Sequence, residues 1–292
     1  MSDNIPPFEI QAEILKRVSD VKSLLQFRSV SKSWKSVIDN PRFIAGYHRN
    51  QPPRHHIFLW YHVQILDTFV SMIDNDDDNS HSFAQHKVPL PIPSSFQSHG
   101  VDSFIVIGSS SKGLICFYEH IYRDRVVLWN PTIRKSVTID VPKASYEYTM
   151  GFGVSPESDD PKLVKIQRFG NALDDLKPRQ AELYSLSTGE WRTLSEDLPR
   201  SSVAFYNHDG HAAIGNFICW LAHEKAMKRE MIISFDMTSE KFMEIYIPDS
   251  VTKDAYNELC LFKIQESLAV AVIQNDRVVY QVWMMEGTMD IL

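Results

Sequence analysis

VLWNPTIRKSVTI (residues 127–139), ELYSLSTGEWRTL (182–194) and ISFDMTSEKFMEI (233–245) align without a gap. Each opens on an apolar run with an aromatic side chain (Trp129, Tyr184, Phe235), passes a polar turn, and ends on a run that alternates apolar and polar residues. A period of two marks a strand, and Val, Ile, Phe, Tyr and Trp favour pleated backbone. The aromatics stand 55 and 51 residues apart. A second element, GLICFY from Gly113 and GNFICW from Gly215, precedes two of the copies, 16 and 20 residues ahead of the aromatic. SLAVAV (267–272) and VYQVWMM (279–285) read as one further unit, and period-2 runs also cover Phe104–Ile107 and Ala181–Leu186. A repeat of about 50 residues with several strands predicts the blades of a β-propeller, in which each sheet covers its faces with its neighbours. A β-sandwich would give strands every ~8–12 residues without the repeat. Beyond residue 50 no long helical stripe competes.

The first fifty residues read differently. Ile10, Ile14, Leu15 and Val18 fall at i, i+4, i+5 and i+8, which predicts one amphipathic helix with a single apolar stripe. Pro6 and Pro7 stand just before it, where a missing N–H costs least, and Glu9 lies in the favourable first turn. Asp20 is placed to cap a second helix carrying Leu24, Leu25 and Phe27. Ser31 is placed to cap a third with Trp34, Val37 and Ile38, which Asn40-Pro41 ends. Three helices of this size share a very small core and lean on something else for stability. Gln51-Pro52-Pro53 then breaks the pattern, residues 74–80 form a polar loop, and Pro89, Pro91 and Pro93 an extended connector. The expected division is therefore a helical module over 1–48, a linker with the strand that opens the β region over 49–100, and the β region over 101–292.

Charge is unevenly placed. Residues 1–50 hold eight Lys/Arg against five Asp/Glu, so a basic head precedes an acidic body in a chain of net charge −7. Such a head suits an acidic partner, while the acidic remainder argues against a nucleic-acid groove. Cys116, Cys219 and Cys260 lie in apolar stretches, form no C-x-x-C pair and are odd in number. They read as core residues of a reducing compartment rather than a disulfide framework or a zinc site. No signal-peptide h-region and no apolar run of about 18 residues occurs, so the expected location is intracellular, in cytoplasm or nucleus, without membrane contact.

IPPFEIQAEILKRV (5–18) followed by KSLLQFRSVSKSWKSVI (22–38) resembles the F-box, and specifically that of plant F-box proteins with an associated kelch-like interaction domain. SSKGLICFY (110–118), VVLWNPTIRKSV (126–137) and LYSLSTGEWRTL (183–194) resemble that associated domain. The resemblance implies a small all-α F-box ahead of an all-β propeller of the kelch or galactose-oxidase type. It also implies docking on a Skp-type adaptor, and through it on a cullin–RING scaffold that ubiquitinates a target held by the β domain. Pro7, Ile10, Ile14, Leu15, Leu24, Leu25 and Val30 would then supply apolar contacts to the adaptor, with Trp34 anchoring the third helix. The alternative for Leu25, Phe27 and Trp34 is that they fill the bundle's own core. Three features depart from the family pattern. Pro6 takes the place of the usual leading hydrophobe, and Val18-Ser19-Asp20 lengthens the first connection and lacks its proline. The chain also stops nine residues after Trp283, which leaves an incomplete ring among the expectations.

Other chemistries lack their residues. The eleven histidines match no H-E-x-x-H or Cys/His spacing. The acidic run from Asp74 puts Asn79 where a calcium loop requires glycine and Gln85 where it requires glutamate. No P-loop, G-x-G-x-x-G or G-x-S-x-G is present, and Asp159-Asp160 and Asp174-Asp175 are adjacent pairs rather than a converging dyad. No cofactor or metal is expected. Two rivals to a ligase receptor remain at this level: a propeller enzyme of the galactose-oxidase sort, which would need a Tyr/His/Cys metal constellation, and a degenerate F-box protein acting as a scaffold.

Overall fold

The computed structural model describes residues 6–18, 21–39, 56–63, 66–73, 104–109, 114–119, 122–130, 135–144, 147–168, 179–206, 211–252, 258–264, 267–273 and 280–285. The expectations for Asp20, Asn40-Pro41, Gln51–Pro53, residues 74–80 and Pro89–Pro93 lie outside these. The chain divides into two compact units, Met1–Asp102 with Asn130–Ser136, and Ser103–Trp129 with Val137–Leu292.

The first unit begins with three short helices, α1 (Phe8–Lys16), α2 (Val21–Phe27) and α3 (Lys32–Ile38). No side chain caps α1, whose first turn closes by backbone bonds from Ile10 and Gln11 to the Pro7 carbonyl at 3.0 and 3.1 Å. Glu9 and Lys16 sit at its favourable ends. Ser31 caps α3 as its position predicts, its hydroxyl accepting from the Trp34 amide at 3.1 Å. Leu15, Leu24 and Ile38 form the core of the bundle, with Val18, Phe27, Trp34 and Val37 packed against it. Where sequence alone suggests a linker and one strand, the unit also holds an antiparallel hairpin of β1 (His56–Val63) and β2 (Leu66–Ile73).

The second unit is a succession of antiparallel sheets arranged as four propeller blades. Blade 1 has the order β3 (Phe104–Ser109), β4 (Ile115–Glu119), β5 (Arg125–Asn130), β6 (Lys135–Asp140). Blade 2 runs β7 (Tyr148–Val154), β8 (Pro161–Gln167), β9 (Ala181–Ser185), β10 (Glu190–Leu194). In blade 3, β11 (Val203–Phe205) and β12 (His211–Ile214) both pair with β13 (Phe217–Glu224), followed by β14 (Arg229–Asp236) and β15 (Phe242–Tyr246). A short helix, α4 (Asp249–Thr252), leads to blade 4, which comprises β16 (Glu258–Ile264), β17 (Ser267–Ile273) and β18 (Tyr280–Met285). The three aligned sequence copies are β5–β6, β9–β10 and β14–β15, the outer hairpins of successive blades.

Alternate side chains along each strand serve different neighbours. On β13, Ile218, Trp220 and Ala222 join a core shared with blade 2 (Val164, Ile166, Leu183), whereas Cys219 and Leu221 join one shared with blade 4 (Leu261, Leu268, Val270). A third core ties Cys116, Tyr118 and Leu128 of blade 1 to Met150, Phe152 and Leu163 of blade 2. Inner strands are therefore buried on both faces, every residue of β4 among them, and their sequences read as continuous apolar runs rather than alternating ones. Alternation survives in β18, where Val282 and Met284 are exposed while Trp283 and Met285 are half-buried and pack on the blade 3–blade 4 core. Cys116 and Cys219 are buried thiols outside any disulfide, whose ionisation burial pushes upward; Cys260 is half-buried and likewise unbridged.

Candidate functional site

The helical unit carries the apolar residues that its own core does not use. Successive residues of an α-helix turn by about 100°, so Leu15 points some 140° away from Ile10. The single stripe expected over α1 is therefore two faces. Leu15 (2% exposed) and Val18 turn inward, while Ile10 (50%) and Ile14 (54%) turn to solvent. Pro7 is exposed at the start of the helix. On α2, Leu24 is buried at 5% and Leu25 is exposed at 37%, which resolves the core-or-surface alternative for Leu25 toward the surface. Val30, in the turn before α3, is the most exposed of the set at 64%. Trp34 is half-buried: its ring packs edge-on against Phe27 with centroids 5.6 Å apart, and its indole N–H donates to Gln11 Oε1 at 2.7 Å. Of the eight expected adaptor contacts, Pro7, Ile10, Ile14, Leu25 and Val30 thus stand on the surface of the bundle. Leu15 and Leu24 belong to its interior, and Trp34 lies between.

Phe8, exposed in the first turn of α1, is a further surface hydrophobe that the sequence reading passed over. It falls off the i, i+4 series, and its position directly after Pro7 was the only signal. The bundle also exposes Glu9, Glu13, Arg17, Lys32 and Lys35, charges of both signs. Lys16 hydrogen-bonds Glu13 at 2.5 Å and holds its carboxyl below the usual range, and Arg28 grips Asp39 through two nitrogens at 2.5 and 2.9 Å. An apolar centre with a polar rim is the anatomy of a protein-docking surface.

In the propeller unit, Ser158, Asp160, Lys162, Ser185, Thr188, Glu190, Arg192 and Glu240 line a polar cavity of about 310 Å³ at the edge of blades 2 and 3. Its charges largely answer one another. Lys162 reaches Glu240 at 3.0 Å, Arg192 pairs with the same carboxylate, and Asp160 accepts from Ser185 and from the Ser187 amide. Among the described residues no three His, Cys, Asp or Glu side chains gather as a metal site would require. No helix of the described residues is long and apolar enough to cross a membrane.

Residues 7–45 match the F-box domain family, and residues 60–290 match the family described as F-box associated beta propeller domain. The chain belongs to the F-box proteins with an associated β-propeller. Its relatives include three F-box proteins of Arabidopsis thaliana. At1g47790 is 29% identical over 248 residues, covering 83% of this chain and 59% of its own. At3g16210 is 24% identical over 244 residues, covering 83% and 60%. At5g42460 is 25% identical over 293 residues, covering 95% and 72%. This F-box protein thus spans about three fifths of the length of the first two. Among solved structures, dipeptidyl peptidase 4 of Porphyromonas gingivalis overlays 79% of this chain and 36% of its own, with a TM-score of 0.37 and 10% identity, too loose a likeness to bear on fold or function.

Proposed function

We propose that this F-box protein is the substrate-recognition subunit of an SCF-type ubiquitin ligase. The helical module, residues 1–48, docks a Skp-type adaptor and through it a cullin–RING scaffold. The β region, residues 101–292, holds the target. The observation that carries this reading is the separation of two apolar sets within one bundle. Leu15, Leu24 and Ile38, with Val18, Phe27, Trp34 and Val37 packed against them, form the core, yet Ile10, Ile14, Leu25 and Val30 remain in water. A bundle this small gains nothing from exposed isoleucines unless a partner covers them. The chain performs no bond chemistry in this reading. It raises the concentration of a target beside a charged ubiquitin carrier, as tethering does in general. The propeller suits the target role because its loops are held on a rigid frame of paired blades. Mixing the purified full chain with a purified Skp-type adaptor should yield a stoichiometric complex on size-exclusion chromatography. Failure to form one would favour the scaffold reading of a degenerate F-box.

A further inference from the structure

Gln11 occupies a position that the geometry of α1 assigns to the interior. It lies about 100° round the helix from Ile10, between the directions of Val18 and Leu15, both of which pack in the bundle. A hydrophobe would complete that face; a carboxamide stands there instead, half-buried. Both of its ends are engaged. Oε1 accepts from the indole Nε1 of Trp34 at 2.7 Å, and Nε2 donates to the carbonyl of Pro6 at 2.7 Å. An indole N–H can only donate and a carbonyl can only accept, so the amide has one orientation here and cannot flip. Pro6 and Pro7 lead into a helix with no side-chain cap, and the bond to Pro6 supplies the tie that a cap would otherwise give. One side chain therefore joins the segment ahead of α1 to the aromatic of α3.

We propose that Gln11 is a positioning residue for adaptor docking, resting on the function proposed above. By clamping Pro6 and Trp34 together it fixes the attitude of Pro7, Ile10 and Ile14 relative to the α2–α3 residues Leu25 and Val30. The surface offered to the partner is then rigid before the partner arrives, and association spends less free energy on ordering it.

The test compares Gln11→Leu, Trp34→Phe and the double variant in the full chain, with calorimetric titration of a purified Skp-type adaptor. Gln11→Leu fills the interior with an apolar side chain of similar size and removes both bonds. It should weaken adaptor binding about tenfold, because the surface must then be ordered as the partner docks, while helical circular dichroism is held. In the Trp34→Phe background the same change should weaken binding by less, because half of the clamp is already gone. Unchanged affinity in Gln11→Leu, beside a wild-type chain that binds, overturns this inference alone. Affinity and helical signal lost in parallel overturn it too, because Gln11 would then be a plain stability residue. A wild-type chain that does not bind the adaptor overturns the underlying reading, and this inference with it.

Discussion

A Cβ added to Gly151 on blade 2 would stand 2.2 Å from Cζ2 of Trp220 on blade 3. The indole is buried, lies against Phe205 and Phe242, and donates its N–H to the Met150 carbonyl at 3.1 Å. It cannot swing aside without losing that bond. Glycine at 151 is thus what lets the two blades close. Gly151→Ala should destabilise the propeller by about 1–3 kcal/mol through overpacking, read as a lower urea midpoint by near-ultraviolet circular dichroism. A midpoint equal to wild type would mean that the blades are not held at this distance.

The two apolar sets of the F-box should respond differently to substitution. Changing Ile10 and Ile14 together to Glu places charge at exposed positions, so helical circular dichroism should persist. Covering such a charge without a partner costs several kcal/mol, and co-purification with the adaptor should be lost. Leu15→Ala and Leu24→Ala instead hollow the core, at roughly 2–5 kcal/mol each, and should lose helical signal and binding together. An Ile10/Ile14 variant that still co-purifies would move the docking surface elsewhere.

How much of this was legible beforehand differs by element. The outer hairpins announced themselves, because β5–β6, β9–β10 and β14–β15 recur with an aromatic at one position. Strands β7 and β8 were not singled out. β7 carries Gly151 and Gly153, which lower strand propensity, and the reason for them is neighbours distant in sequence: a Cβ at 153 would meet Met237 and Ile218 at 2.7 and 2.9 Å. In the F-box the helices and the Ser31 cap followed from spacing. The division of the α1 stripe did not, since hydrophobicity alone treats Ile14 and Leu15 alike and only the packing of α2 and α3 separates them. Gln11 was invisible for the same reason: its two partners, Pro6 and Trp34, are five and 23 residues distant.

Lys165 is a charge inside the blade 1–blade 2 interface. Its side chain is 1% exposed, its ammonium pairs with Glu182, donates to the Pro142 carbonyl at 3.0 Å, and lies 5.1 Å from the centre of the Tyr148 ring. Removing one partner of such a pair costs most when the charge left behind cannot reach water, and Lys165 is 1% exposed whereas Glu182 is 22% exposed. Glu182→Gln should therefore cost about 3 kcal/mol, and Lys165→Met should be close to neutral despite its larger change in polarity. Thermal midpoints in the opposite order would show that Lys165 is held by the carbonyl and the ring rather than by Glu182.

Glu240, in the turn between β14 and β15, ties blade 3 to blade 2 by accepting from Lys162 at 3.0 Å and from Arg192. Burial alone would raise its carboxyl, but the hydrogen bonds from Arg192 and Lys162 outweigh that and leave it below the ordinary range. A carboxyl lowered in the folded state binds its proton less readily there than in the unfolded chain. Its contribution is therefore fully present above the unfolded value, about 4.3 for glutamate, and is lost as pH falls through the folded value. Arg192 is half-exposed, so the contribution should not exceed about 1 kcal/mol. The check is the urea midpoint of wild type against Glu240→Gln from pH 7 downward. The two should differ at neutral pH, hold that difference to about pH 5, and converge below about pH 4. A difference that stays constant through the acid range would mean that Glu240 acts by shape and not by charge, and that the tie between the blades lies in Lys162 and its bond to the Met237 carbonyl at 2.6 Å.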